Sequence, residues 1–332
     1  MSNVPVTPEI PGPRPPSAQV SPPARQRQFD LTLARPFIYK SVSEETRAAY
    51  TRAIWEFFAF VGHVHPKDIV PADVIAYRDF LRTTKRRKAN TVATKLAIVR
   101  SFFECLKAGV VVSLNPASTK LVTPPELPTE PRGRALTPKE VRHLLSGPDR
   151  SKPEGARDYA MMLVMLRLSL RLAEVSALRV SAIRWSHGRW ILRCKIKGGK
   201  EETWPLPKDV KQAIDEYLKL DDARRRTLHS GGDEAYLFQP LVNYRNLVFD
   251  RPLSPRMVQK IVARWGEFTG VGRVTPHDLR RTVVTKLLND GRSYREVQMV
   301  TKHKDPKTIM RYDHARENLD NSPVNTLNWD GD

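Results

Sequence analysis

Thr275-Pro276-His277-Asp278-Leu279-Arg280-Arg281 places a helix start and two phosphate-compatible side chains within seven residues. Thr275 is a capping residue, Pro276 suits the first helical position, and Asp278 completes a capping pattern. His277 and Arg280 are three apart, so they share one face of the helix at its N-terminal end. That end carries partial positive charge and free amides, which suit a phosphate. Gly291 ends this helix, and Ser293-Tyr294-Arg295-Glu296 caps the next, with His303 at its far end. Asp305-Pro306 starts another helix, which places Tyr312 two turns into it.

Upstream, Leu170-Arg171-Leu172-Ala173-Glu174-Val175 lies in an apolar helical stretch from Tyr159 to Leu178. Burying Arg171 and Glu174 there is costly unless they are well paired, which gives a functional reason weight. Between Trp185 and Pro207 the helical pattern stops. Trp190-Ile191-Leu192-Arg193-Cys194 and Glu202-Thr203-Trp204, bracketed by Ser186-His187-Gly188 and Gly198-Gly199, predict a small antiparallel sheet. Thr137-Pro138-Lys139-Glu140 opens this whole region as a capping box.

Ahead of it, residues 123–136 hold prolines 124, 125, 128 and 131 and read as a semi-extended linker. Residues 41–122 read as a helical unit. Ser43 caps a helix bearing Tyr50, Ile54, Phe57, Phe58 and Val61 at helical spacing. A second helix follows Pro71, and a third runs from about Asn90. Lys85-Arg86-Arg87-Lys88 precedes the third, where four cations can neutralise phosphates beside a helix N-terminus. Residues 1–40 hold nine of the 27 prolines and little periodicity, and read as a disordered arm.

The net charge of +20 fits a polyanionic partner. No apolar run is long enough to span a bilayer, and the first residues lack a signal-peptide pattern, so a cytoplasmic protein is expected. Cys105 and Cys194 fall in different domains, which argues against a disulfide. There is no zinc-ligand spacing, no phosphate-binding loop and no acidic metal cluster, so no metal or cofactor is expected.

Taken together these pieces resemble the tyrosine recombinase, or phage integrase, family. Its "G-L-R-x-x-E-L" stretch is met by Ser169-Leu170-Arg171-Leu172-Ala173-Glu174-Val175. Its hairpin "G-K-G-x-K-x-R-x-V-P-L" aligns with Ile196 to Leu206 and puts the family lysine on Lys197. "H-x-L-R-H" is met by His277 to Arg281, and "L-G-H" by Thr301-Lys302-His303. The nucleophile follows that histidine by nine residues, as Tyr312 follows His303. Five elements agree in order and spacing over roughly 150 residues. Three positions depart: Ser169 for Gly, Arg281 for the second His, and Thr301-Lys302 for Leu-Gly. The last alters the local turn, because glycine permits backbone angles that lysine does not favour.

The resemblance implies a mainly α protein. An N-terminal helical core-binding (SAM-like) domain precedes a mainly helical catalytic domain, residues 137–332, with a small antiparallel sheet and a C-terminal tail. It implies a site-specific recombinase working through a 3′-phosphotyrosine on double-stranded DNA, as a homotetramer on two DNA sites. Arg171 and Arg280 suit the phosphate, since planar guanidinium forks match its oxygens. His303 adds a hydrogen bond, Tyr312 attacks, Lys197 protonates the leaving 5′ oxygen, His277 assists as acid or base, and Glu174 orients the cations. A phenol ionises only near pH 10, so the cationic pocket must help it. Two other readings are a type IB topoisomerase and a non-catalytic DNA-binding protein of recombinase descent. The helical core-binding unit and the style of the motifs argue against the topoisomerase, and the six intact residues argue against the non-catalytic protein.

Overall fold

In the computed structural model, residues 29–127, 133–196, 199–227, 231–241, 251–303 and 305–313 are described. They form two compact units, divided between positions 129 and 130.

The first unit is all helical. After a 3-10 turn, Leu31–Ala34, it contains α1 (Arg35–Tyr39), α2 (Glu44–Phe60), α3 (Pro71–Thr83) and α4 (Ala89–Ala108). The starts of α1, α2 and α3 carry local signals. The Ser43 hydroxyl accepts from Thr46 N–H, and prolines stand in the first turn of α1 and α3. The core is aromatic. Phe57 packs edge-on to Tyr77 and Phe103 at 5.2 and 6.2 Å, arrangements that add to burial alone. Asn115 closes the unit by donating to the Arg100 carbonyl and the Glu104 carboxylate while accepting from Ala117 N–H.

Two expectations need correction here. Residues 29–40 are part of this unit rather than a disordered arm. Phe29, Ala34, Phe37 and Ile38 are buried in its core, with Phe37 stacked on Tyr50 at 4.7 Å. Eight of the nine arm prolines lie at or before Pro23, and Pro36 sits where a helix tolerates it. The remainder of the arm, residues 1–28, lies outside the described residues. The linker is also shorter at its far end. Leu136 N–H donates to Thr282 Oγ1 at 2.8 Å and Arg134 N–H to Asp278 Oδ1 at 3.2 Å, so both residues belong to the second unit.

The second unit runs α5 (Pro138–Ser146), α6 (Pro153–Leu168), α7 (Leu172–Ser176), β1 (Ile183–Ser186), β2 (Arg189–Lys195), β3 (Glu201–Pro205), α8 (Lys208–Thr227), α9 (Pro255–Phe268), α10 (Pro276–Asn289), α11 (Tyr294–Thr301) and α12 (Pro306–Met310). The strands form one antiparallel sheet in the order β1-β2-β3. Helix α6, most of it buried, is the central post against which α8, α9 and α10 pack. A buried ionic knot ties α6 to α9. Asp158 accepts from the Arg157 and Arg264 guanidinium groups, both at 2.7 Å, and from Trp265 Nε1 at 2.9 Å.

The apolar run from Tyr159 to Leu178 is not one helix. Helix α6 stops at Ser169, which adopts the left-handed conformation (φ 55°), and the chain is extended at Arg171 before α7 begins. Apolar content alone could not reveal the break, because Leu170 is buried on both readings. Likewise α12 ends at Met310, so Tyr312 stands in a turn beyond the helix rather than within it.

Candidate active site

Four short segments deliver the site. The N-terminus of α10 is set by reciprocal bonds between Thr275 and Asp278, which aims His277 and Arg280 from its first turns. The break after α6 presents Arg171. The Glu174 carboxylate accepts from Arg171 N–H at 2.7 Å and from its guanidinium at 3.0 Å, so one side chain caps α7 and orients the cation. The turn after α11 brings in His303, and the turn after α12 brings in Tyr312.

Arg280 is the keystone. It is 5% exposed, and its guanidinium donates to the carbonyls of Ser169 and Thr301 and to His303 Nε2, the last at 3.2 Å. Both carbonyls lie at left-handed turns. Ser169 has φ 55°, and Lys302, directly after Thr301, has φ 52°. These are two of the positions where the sequence departs from the family glycine. Left-handed backbone costs an ordinary residue about 1–2 kcal/mol. Contacts hold each turn in compensation. Ser169 is anchored by Arg280. Lys302 reaches Glu202 at 3.0 Å and lies 5.3 Å from the centre of the Trp204 ring.

Burial pushes the Arg280 guanidinium down to about 10, with repulsion from Arg171 adding to it, so it remains a cation at neutral pH. Burial, and then Arg280 and Arg171, push His303 down to about 4, so its ring is neutral there. The tautomer follows from the partners. Arginine only donates, so Nε2 accepts. The Thr301 hydroxyl donates to the Val297 carbonyl at 2.8 Å, so it accepts from His303 Nδ1–H at 2.7 Å. Burial also lowers His277. Its Nε2 lies 3.3 Å from the Tyr312 hydroxyl, within reach to accept the phenolic proton. The Tyr312 ring packs with Val284, Val297 and Ile309.

The structure therefore brings together Arg171, Glu174, His277, Arg280, His303 and Tyr312. Lys197 lies outside the described residues. Its neighbour Lys200 is 2.6 Å from the Glu202 carboxylate. Lys85, Arg86, Arg87 and Lys88 are all exposed in the loop between α3 and α4 of the first unit. Sequence reasoning missed Thr301, which fixes the His303 ring, and Gln259, which lines a cavity of about 430 Å³ with Arg171, His277 and Arg280. Gln259 is an exposed polar residue of α9, and no local sequence signal singles it out.

Comparison with known proteins shows the family. Residues 134–318 match the phage integrase family and residues 33–108 match the phage integrase N-terminal SAM-like domain. The chain belongs to the phage integrase family. It is a tyrosine recombinase, an enzyme of site-specific DNA recombination. It is 31% identical to tyrosine recombinase XerC of Herpetosiphon aurantiacus, over 87% of this chain and 91% of that one. It is 30% identical to tyrosine recombinase XerD of Xanthomonas campestris, over 89% and 90%. The fold is similar to that of the Tn1549 transposon integrase in complex with circular intermediate DNA, with a TM-score of 0.63 and 15% identity over 90% of this chain and 98% of the other. Among the described residues no helix is long and apolar enough to cross a membrane.

Proposed function

We propose that this recombinase cleaves and rejoins duplex DNA through a 3′-phosphotyrosine on Tyr312. The observation that carries the reading is the Tyr312 hydroxyl, 3.3 Å from His277 Nε2, on the helix that also presents Arg280. Arg171 and Arg280 bind the non-bridging oxygens, His303 donates to them as the imidazolium it becomes by taking up a proton when DNA binds, and together they hold the charge that grows in the transition state. His277 takes the phenolic proton as the Tyr312 oxygen attacks phosphorus. The 5′ oxygen leaves with a proton from Lys197. Attack by a partner strand's 5′-hydroxyl reverses the step, so the phosphodiester energy is conserved and no nucleotide or metal enters the balance. Glu174 keeps Arg171 extended toward the phosphate. Lys85, Arg86, Arg87 and Lys88 neutralise backbone phosphates next to the core-binding helices.

Exchange of two duplexes takes four cleavages, which supports a homotetramer on two DNA sites, working in the cytoplasm. Relatives named XerC and XerD and a transposon integrase among the similar folds support two tasks, chromosome dimer resolution and movement of a mobile element.

The test begins with selection of the target site from a randomised duplex pool. Wild-type protein should accumulate a covalent adduct on a nicked duplex carrying that site, read on a denaturing gel. Tyr312→Phe should bind the same duplex with unchanged affinity and form no adduct. Adduct formation by Tyr312→Phe, or a pool in which no sequence is enriched, rejects the reading.

A further inference from the structure

Arg281 stands where the family has its second histidine, and the chemistry above gives it no part. The structure places it at a junction. Its side chain is buried, with the residue 4% exposed, and its guanidinium carbon lies 5.1 Å from the centre of the Tyr312 ring. Its Nη1 donates to the Gly133 carbonyl. One guanidinium thus touches both the nucleophile's ring and the first described residue of the second unit.

Each end of this contact needs an anchor. Tyr312 lies beyond α12, so helical hydrogen bonding does not set its direction. Its N–H donates to the Ile309 carbonyl at 2.9 Å. The ring packs with apolar side chains, which resist sliding weakly, because dispersion is non-directional. A cation over the ring face adds a directional attraction. At the other end Gly133 is tightly determined. It holds φ 98°, and a Cβ there would sit 2.3 Å from Asp278 Oδ1. Arg134 N–H donates to that same oxygen and Leu136 N–H to Thr282 Oγ1. The entry segment is therefore fastened along α10, and its Gly133 carbonyl is a fixed acceptor.

We propose that Arg281 is a positioning residue for Tyr312, itself held by the Gly133 carbonyl, so that the entry segment of the second unit sets the attack geometry of the nucleophile. The proposal rests on Tyr312 being the nucleophile. It differs from a phosphate role, which belongs to Arg171 and Arg280. Misplacing an attacking oxygen by about an ångström costs on the order of 100-fold in rate, so a modest shift of the ring is enough to register.

The test uses full-length protein and the nicked duplex carrying its selected site. Arg281→Met keeps the length and loses both the cation and the donor. Its single-turnover cleavage should fall between about 10- and 100-fold, with DNA affinity within about twofold of wild type. Arg281→Lys keeps the cation and should recover part of the loss. Gly133→Ala displaces the anchor through the clash with Asp278, and should lower cleavage in the same direction. Combined with Arg281→Met it should add little, since coupled residues are not additive. Full additivity overturns the anchor and with it the proposal, as does wild-type cleavage by Arg281→Met.

A second readout separates positioning from folding and from phosphate activation. In Tyr312→Phe, hydrogen peroxide supplied in solution replaces the phenol: a peroxide oxygen attacks phosphorus and the 5′ oxygen leaves with a proton. That cleavage uses the phosphate site but not Tyr312. Adding Arg281→Met should leave it within about twofold, whereas adding Arg280→Ala should abolish it. If Arg281→Met weakens peroxide cleavage as much as cleavage by Tyr312, Arg281 belongs to the phosphate site and the proposal falls. Failure of the parent reading looks different: Tyr312→Phe itself would still form the protein–DNA adduct.

Discussion

Arg280→Ala tests the keystone most directly. Held in its pocket, the guanidinium ionises at about 10 in place of 12.5, which puts the cost of keeping the buried cation at about 3 kcal/mol. The folded value lies below the unfolded one. The cost is therefore present in full below pH 10 and fades only as pH rises from about 10 towards 12.5. Replacement by alanine removes that cost. It also strands the buried Ser169 and Thr301 carbonyls, at about 1–3 kcal/mol each. The two effects offset to within a few kcal/mol. At about 2–4 °C per kcal/mol for a unit of this size, the melting temperature should move by no more than about 12 °C. Cleavage should respond far more. Loss of one donor to the transition-state phosphate slows comparable reactions about 100- to 1,000-fold. The assay pairs adduct formation on the nicked duplex with binding of the same duplex and a thermal melt. Equal losses in affinity and rate would refute the reasoning, because they would make Arg280 an ordinary phosphate-positioning residue. Outright unfolding would refute it too, since the offset above would then be wrong.

His303 carries the pH dependence: with its folded value near 4 and its unfolded value near 6.5, stability should be lost as pH falls from about 6.5 to about 4 and level off below that. Urea midpoints should show this loss in wild type and a smaller one in His303→Gln. A DNA phosphate favours the imidazolium, so binding near pH 6 should take up protons, and calorimetry in buffers of different ionisation heat should find more uptake in wild type than in His303→Gln. Lys197→Ala should cleave ordinary DNA poorly yet recover on a 5′-bridging phosphorothiolate, whose thiolate leaves with little protonation, while Arg280→Ala should not recover. Rescue confined to Lys200→Ala would move the acid to Lys200 and away from its pairing with Glu202. Asp158→Ala should destabilise the second unit by about 3–5 kcal/mol, because it removes the direct partner of buried Arg157 and leaves it only the Gln239 carbonyl and Glu154 at 3.9 Å, and a change under about 1 kcal/mol in chemical denaturation would show that Glu154 or water takes over.

Much of this protein was legible because its signals are local. The starts of α2, α5, α10 and α11 followed from Ser43, Thr137, Thr275 and Ser293, since a capping bond joins groups within three residues, and that of α3 from Pro71, which suits the first helical turn. The candidate chemistry followed from the order and spacing of Arg171, His277, Arg280, His303 and Tyr312, because a shared fold imposes those intervals. What the sequence withheld lies in contacts between distant residues. The break at Ser169 is held by Arg280, 111 positions away, and the apolar run around it does not announce a left-handed serine, to which only the family glycine at that position points. The folding of residues 29–40 depends on Phe29 and Phe37 finding Phe58 and Tyr50. The place of Arg281, between Gly133 and Tyr312, exists only once α10 lies between the entry segment and the last turn. Spacing along the chain names the side chains able to act on a phosphate. Which of them meet is decided by packing, because a hydrogen bond is short and the chain between its partners is long.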